Sequence, residues 1–141
     1  MEKKKTKQNK DFTYAVGRRR EAVARIRLYK GKGQSLVNKQ PISDYFPGQL
    51  AQLAYTKPYK LTDNEGKFFA TVRVVGGGKN GQLGAVIHGL SRALAEIEEK
   101  KHRSILKKEG LLTRDPRTRE RRKVGTGGKA RRKKQSPKRY F

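Results

Sequence analysis

An α+β sandwich is the fold class that this 141-residue sequence predicts: a small sheet covered on one face by helices, followed by a long disordered basic C-terminal extension. Three observations predict it. Two segments alternate apolar and polar residues with period two, and a later segment repeats apolar residues every three or four positions. Beyond Leu112 the only large apolar side chains are Val124, Tyr140 and Phe141. The first two patterns make strands and a helix; the third marks where a core can no longer be built.

Ala22, Ala24, Ile26 and Leu28 occupy one face of a strand whose other face carries Val23, Arg25, Arg27 and Tyr29. Gly31-Lys32-Gly33 then supplies a turn, and a short strand at Leu36 and Val37 is expected to complete a hairpin with the first. Leu50, Leu53 and Ala54 stand at helical spacing between Pro47-Gly48 and Pro58, which predicts a short helix. After an Asp63-Asn64-Glu65-Gly66 turn, Phe68, Ala70, Val72 and Val74 alternate with Phe69, Thr71, Arg73 and Val75, a second long strand that ends at Gly76-Gly77-Gly78. Leu83, Val86, Leu90, Leu94 and Ile97 define an amphipathic helix from about Gly81 to Glu99. Along it Ala85, Gly89 and Ala93 form a row of small side chains suited to close packing. Ile105 and Leu106 belong to a last short helix closed by Gly110.

The charge follows the same division. The chain holds 37 Lys and Arg against 12 Asp and Glu, a net charge of +25, and residues 101–141 alone hold 17 basic and 3 acidic side chains. More than half of the excess therefore lies in the segment least able to fold. The domain organisation expected is a flexible basic N-terminal arm over 1–13, a globular RNA-binding domain over 14–112 and a basic RNA-threading tail over 113–141. Such a chain seeks a polyanion, with nucleic acid the usual partner.

Several chemistries are excluded by residue type. Without Cys there is no disulfide framework, thiolate nucleophile or cysteine zinc site. No run approaches the roughly 18 apolar residues of a membrane span, so a soluble chain without a membrane partner is expected. His88 and His102 have no carboxylate at metal-ligand spacing, and no cofactor or metal is predicted. The carboxylates form no acid–base pair, which leaves an RNA-processing enzyme, working through Asp44 or Asp115, as a minor alternative. A free nucleic-acid architectural protein is the other alternative, though no wedge residues stand out.

Gly76-Gly77-Gly78-Lys79-Asn80-Gly81-Gln82 joins a strand to a helix, where a glycine backbone and free helix N–H groups suit phosphate. It lacks the Gly-Lys-Ser or Gly-Lys-Thr of a nucleotide-binding P-loop. The tail from Arg114 to Arg139 carries 13 Lys and Arg. About 6–10 phosphate contacts make binding fall roughly 10³- to 10⁵-fold between 50 and 200 mM salt, so a tail of this charge is sufficient for strong, salt-sensitive RNA binding.

Three groups of residues resemble the bacterial-type family of the ninth protein of the small ribosomal subunit. They are Gly17-Arg18-Arg19-Arg20-Glu21-Ala22-Val23-Ala24-Arg25, the glycine loop with its helix through Gly89-Leu90-Ser91-Arg92-Ala93-Leu94, and the tail approach at Leu111–Arg117, Glu120–Lys123 and Gly128–Arg132. The resemblance implies a non-enzymatic constituent of the small subunit that acts in translation, in a cytoplasmic or an organellar ribosome. It implies the fold of the second domain of the subunit's fifth protein, with a left-handed crossover, docked on head ribosomal RNA beside neighbouring head proteins. The expected RNA-binding residues are Arg18, Arg19, Arg20 and Lys79, then Arg114, Arg117, Arg119, Arg121, Arg122, Lys123, Lys129, Arg131, Arg132, Lys133 and Lys134. The resemblance also implies that the last basic residues, here Lys138 and Arg139, reach the anticodon stem-loop of the peptidyl-site tRNA. The family commonly ends Ser-Lys-Arg, whereas this chain reads Ser136-Pro137-Lys138-Arg139-Tyr140-Phe141. The two added aromatics are candidates for stacking on a base.

Overall fold

The structure, a computed structural model, describes residues 12–128. Residues 1–11 of the expected N-terminal arm, residues 129–141 of the tail and the expected sites at Lys129, Arg131–Lys134 and Lys138–Phe141 lie outside the described residues, while Phe12 and Thr13, expected in the arm, begin the first strand. The chain runs β1 (Phe12–Arg19), β2 (Ala22–Lys30), β3 (Leu36–Val37), β4 (Gln40–Pro41), α1 (Ile42–Tyr45), α2 (Gln49–Leu61), β5 (Phe68–Val75), α3 (Lys79–Ile97) and α4 (Glu99–Lys108). The five strands form one sheet in the order β1-β2-β5-β3-β4.

Alternation decides which face is dry. In the antiparallel ladder Ala24 stands between Gly17 and Val74, Ile26 between Ala15 and Val72, and Leu28 beside Ala70. All of these point under α3 and are buried, together with Val86, Leu90 and Leu94 from the helix. Fully burying each of the larger aliphatic side chains contributes about 1.5–3 kcal/mol, which makes this seam the main source of stability. Small residues set its closeness. A Cβ on Gly17 would collide with the Ala85 carbonyl and the Gly89 backbone, and one on Gly89 with the Ile26 methyl. The row of Ala85, Gly89 and Ala93 is thus a packing row against β1 and β2.

That closeness explains why β1 was not recognisable as a strand: its inward residues, Ala15 and Gly17, are too small to produce an alternating pattern. Other expectations are corrected as well. Leu36 and Val37 do not form a hairpin with β2. They pair parallel to β5 and antiparallel to β4, because β5 takes the free edge of β2 and the Gly31 N–H is bonded to the Lys67 carbonyl beside it. In α2 the apolar side chains Leu50 and Leu53 face solvent, 85% and 57% exposed, whereas Tyr55 and Pro58 are buried. The helix also runs through Pro58 to Leu61 instead of stopping before it. The long helix begins at Lys79, two residues before the expected start.

The last helix ends as its sequence implies. Gly110 has φ 74°, its N–H bonds the Lys107 carbonyl, and the Leu111 N–H bonds the Leu106 carbonyl. This paired closure turns the chain back and lets Leu111 and Leu112 pack on the core. Beneath it His102 is buried between α3 and α4, with Nδ1 2.9 Å from the Leu94 carbonyl and Nε2 3.2 Å from the Asn64 amide nitrogen. Through these two ring nitrogens the imidazole joins three segments of the chain. Its role is structural.

Candidate nucleic-acid interface

The β1–β2 turn and the glycine loop meet at one end of the sheet. Arg20, the first residue of the two-residue turn, has φ 53°, and Gly76 and Gly77 have φ 78° and 66°. A Cβ on Gly76 would lie 2.6 Å from the Glu21 carbonyl, so the loop must be glycine where it crosses the turn. The crossing brings Arg19, Arg20 and Lys79 around a recess whose floor is the backbone of Gly77–Gly81. Arg119 reaches the same recess from the tail, and Glu21 is its one acidic side chain among the described residues.

The start of α3 opens into this recess. Gly78 precedes the helix with no side-chain cap, and the first helical bond is from the Gln82 N–H to the Gly78 carbonyl. The N–H groups of Lys79, Asn80 and Gly81 therefore have no intrahelical acceptor, and they stand at the positive end of a 19-residue helix. Lys79 is partly committed nearby: its ammonium lies 3.3 Å from the centre of the Tyr45 ring and 3.4 Å from the Tyr45 carbonyl. The Tyr45 hydroxyl donates to Gln82 Oε1 at 2.7 Å, and Gln82 Nε2 donates to the Gly76 carbonyl at 3.1 Å. This chain of contacts ties α1 to the loop and holds its shape.

Arg19 lies flat across α3, where a side chain at Gly84 would strike its Cδ. Its Nε is 3.8 Å from Asp115 Oδ2, and Asp115 also receives a forked contact from Arg117, with Nε at 3.0 and 3.1 Å and Nη2 at 2.7 Å. Hydrogen bonds from Arg117, reinforced by its charge and that of Arg19, hold the Asp115 carboxyl well below the usual carboxylate range. The same bonds raise the Arg117 guanidinium above its ordinary value. Arg117, expected on RNA, is thus an intramolecular fastener in the free protein, and Asp115 anchors the root of the tail.

Arg18 sits apart from Arg19 and Arg20. It lies on β1, the edge strand of the sheet, and lines a second cationic cluster there with Arg92 and Arg114 around His88. The Arg18 backbone N–H donates to His88 Nδ1 at 3.3 Å, and Arg92 donates to the Val16 carbonyl at 2.7 Å. Burial pushes the His88 imidazole below its ordinary value; Arg92 and Arg114 act in the same direction, and the Leu112 carbonyl opposes them. From the sequence His88 was assigned no chemistry, and Arg92 was not named as a site residue. Their helical spacing of four was visible, but not that β1 and the tail root close over them.

Arg121, Arg122 and Lys123 follow exposed in irregular backbone, and Arg119 bonds the Gly128 carbonyl at 2.8 Å. No cluster of His, Cys, Asp or Glu that would hold a metal occurs among the described residues. Two cationic clusters on one small α+β scaffold, one of them at an uncapped helix N-terminus, define the class: a small basic α+β protein whose surface suits a polyanion. The family model described as Ribosomal protein S9/S16 matches residues 17–139. A small ribosomal subunit protein uS9 from Maridesulfovibrio salexigens is 54% identical over 120 residues, spanning 85% of this chain and 92% of that protein. The protein of the same name from Solidesulfovibrio magneticus is 49% identical over 118 residues, spanning 84% and 90%. The chain belongs to the ribosomal protein S9 family, and is therefore a structural, non-enzymatic protein of the ribosome.

Proposed function

We propose that this protein is an assembly and tRNA-positioning constituent of the small ribosomal subunit, docked on ribosomal RNA of the head through the recess at the start of α3. The convergence of Arg19, Arg20, Lys79 and Arg119 on that recess carries the reading. Unsatisfied helix N–H groups donate to a phosphate in the recess, and the surrounding cations supply counter-charge. Contacts of this kind fix position and orientation more than base sequence. The cluster of Arg18, Arg92 and Arg114 gives a second phosphate anchor. The tail leaves from between the two anchors, threads the RNA with Arg121, Arg122, Lys123, Lys129 and Arg131–Lys134, and ends with Lys138 and Arg139 at the anticodon stem-loop of the peptidyl-site tRNA. It works beside neighbouring head proteins, in the cytoplasmic ribosome.

Sedimentation of small subunits through increasing salt tests the docking. The protein is expected to stay with the particle at moderate salt; release there, with equal binding of duplex DNA, identifies an architectural protein instead. For the tail, small subunits carrying Lys138→Ala and Arg139→Ala are expected to bind peptidyl-site tRNA more weakly than unaltered ones. Unchanged affinity removes the tRNA contact and leaves the docking intact.

A further inference from the structure

Among the described residues the sheet face opposite α3 carries no helix, and the only charged side chains on its β1, β2 and β5 positions are arginines. Strand register places Val16, Arg25 and Arg73 in one row across β1, β2 and β5, and Tyr14, Arg27 and Thr71 in the next. Arg25 and Arg73 are thus direct cross-strand neighbours, an arrangement that opposes like charges and disfavours the sheet. None of Arg25, Arg27 and Arg73 forms an ion pair among the described residues, and no outward position of β1, β2 or β5 holds Asp or Glu. A face meant only for water would intersperse both signs.

A fourth cation is built onto the rim. Asn38 and Lys39, with φ 49° and 68°, form the two-residue turn between β3 and β4. The Asn38 amide grips the β5 backbone twice, accepting from the Val74 N–H at 2.9 Å and donating to the Val74 carbonyl at 3.0 Å. That grip holds Lys39 beside Arg25 and Arg73 along a shallow groove. Tyr14 stands in the same groove, 45% exposed. At the end of the face the Tyr29 and Phe69 rings stack at 5.2 Å, Phe12 leans on Tyr29 at 5.6 Å, and the Arg27 guanidinium lies 5.1 Å over Phe12.

We propose that this open face is a further RNA-binding surface, distinct from the recess and the tail, that takes a short unpaired stretch of ribosomal RNA. Phosphates sit among Arg25, Arg73 and Lys39, and a base stacks on Tyr14. The inference rests on the ribosomal reading above and adds a site to it. Charge selects a polyanion, and the exposed ring selects unpaired nucleotides, because bases inside a duplex offer their faces to one another and not to a side chain. An acidic protein segment would answer the charge but not the flat aromatic surface.

The test is arginine-selective modification of purified small subunits with phenylglyoxal, read by mass spectrometry of the peptides carrying Arg25 and Arg73. Loss of modification relative to the free protein is expected, with reactivity restored after digestion by a nuclease specific for single-stranded RNA. A Tyr14 peptide carrying a photo-crosslinked nucleotide, absent from a Tyr14→Leu particle, is expected alongside. If both arginines react in the particle as in the free chain, or if their protection survives nuclease and depends on a neighbouring protein, the inference is overturned while the ribosomal reading stands. If the chain is missing from small subunits altogether, both fail.

Discussion

Neighbouring residues of β2 live in opposite chemistries. Ile26 is sealed beneath Gly89 of α3, while Arg25 and Arg27, one residue away on either side, face outward. The inner face tolerates almost no change of volume; the outer face tolerates a concentration of like charge that a free-standing domain would avoid. The difference teaches that stability and binding are divided between the two sides of one strand, so that mutations separate them cleanly.

The sharpest way to break the inner face is Gly17→Val. Its added carbons meet the Ala85 carbonyl and the Gly89 backbone, neither of which can yield by rotating a side chain. A loss of about 3 kcal/mol or more is expected in urea unfolding, at or beyond the upper end of overpacking costs. His102→Ala strands the Asn64 amide and the Leu94 carbonyl inside the fold, and a loss of about 2 kcal/mol is expected in the same assay.

The boundary between the faces responds to pH through His88. Its folded pKa lies below its unfolded value, so the unfolded chain binds the extra proton first as the pH falls. The stabilising contribution is therefore fully present above the unfolded pKa, about 6.5, and is lost as the pH falls through the folded value. His88→Gln keeps an acceptor for the Arg18 N–H, and its melting temperature is expected to vary less than the parent's on the acid side of pH 6.5.

On the outer face, Arg25→Gln with Arg73→Gln relieves the like-charge pair. The free protein is expected to gain about 0.5 kcal/mol, the order of a cross-strand charge effect, while the variant washes off small subunits at lower salt. Leu53→Gln, on the exposed side of α2, is expected to move stability by less than about 0.5 kcal/mol. A larger loss would mean that this side chain packs in the free protein after all.

Legibility in the sequence followed the strength of each periodic signal. β2, β5 and α3 carry large apolar residues at regular spacing and are where the pattern places them. β1 was missed as a strand because its inward residues are nearly absent as side chains. The hairpin was misassigned because proximity in sequence favoured β2 for β3, whereas β5 arrives later and takes that edge. In α2 the two leucines marked a helix and not its phase; Tyr55 and Pro58 supply the buried face, which spacing alone cannot decide. For the interface, residue type identified the arginines and not their company. That Arg19 and Arg20 join Lys79 while Arg18 joins His88 follows from the place of β1 at the sheet edge beside α3, which was not yet assigned.

The Arg19–Asp115–Arg117 contact at the root of the tail has a kinetic consequence. An exposed ion pair of this kind contributes little to stability, so it orients the chain without locking it. Yet it starts the extension beside the recess. Arg121 lies six residues beyond Asp115 and can reach no farther than roughly 20 Å from it. In the proposed docking, RNA held at the recess makes each later cation a tethered reactant at high effective concentration, and individually weak contacts close in succession from the root outward.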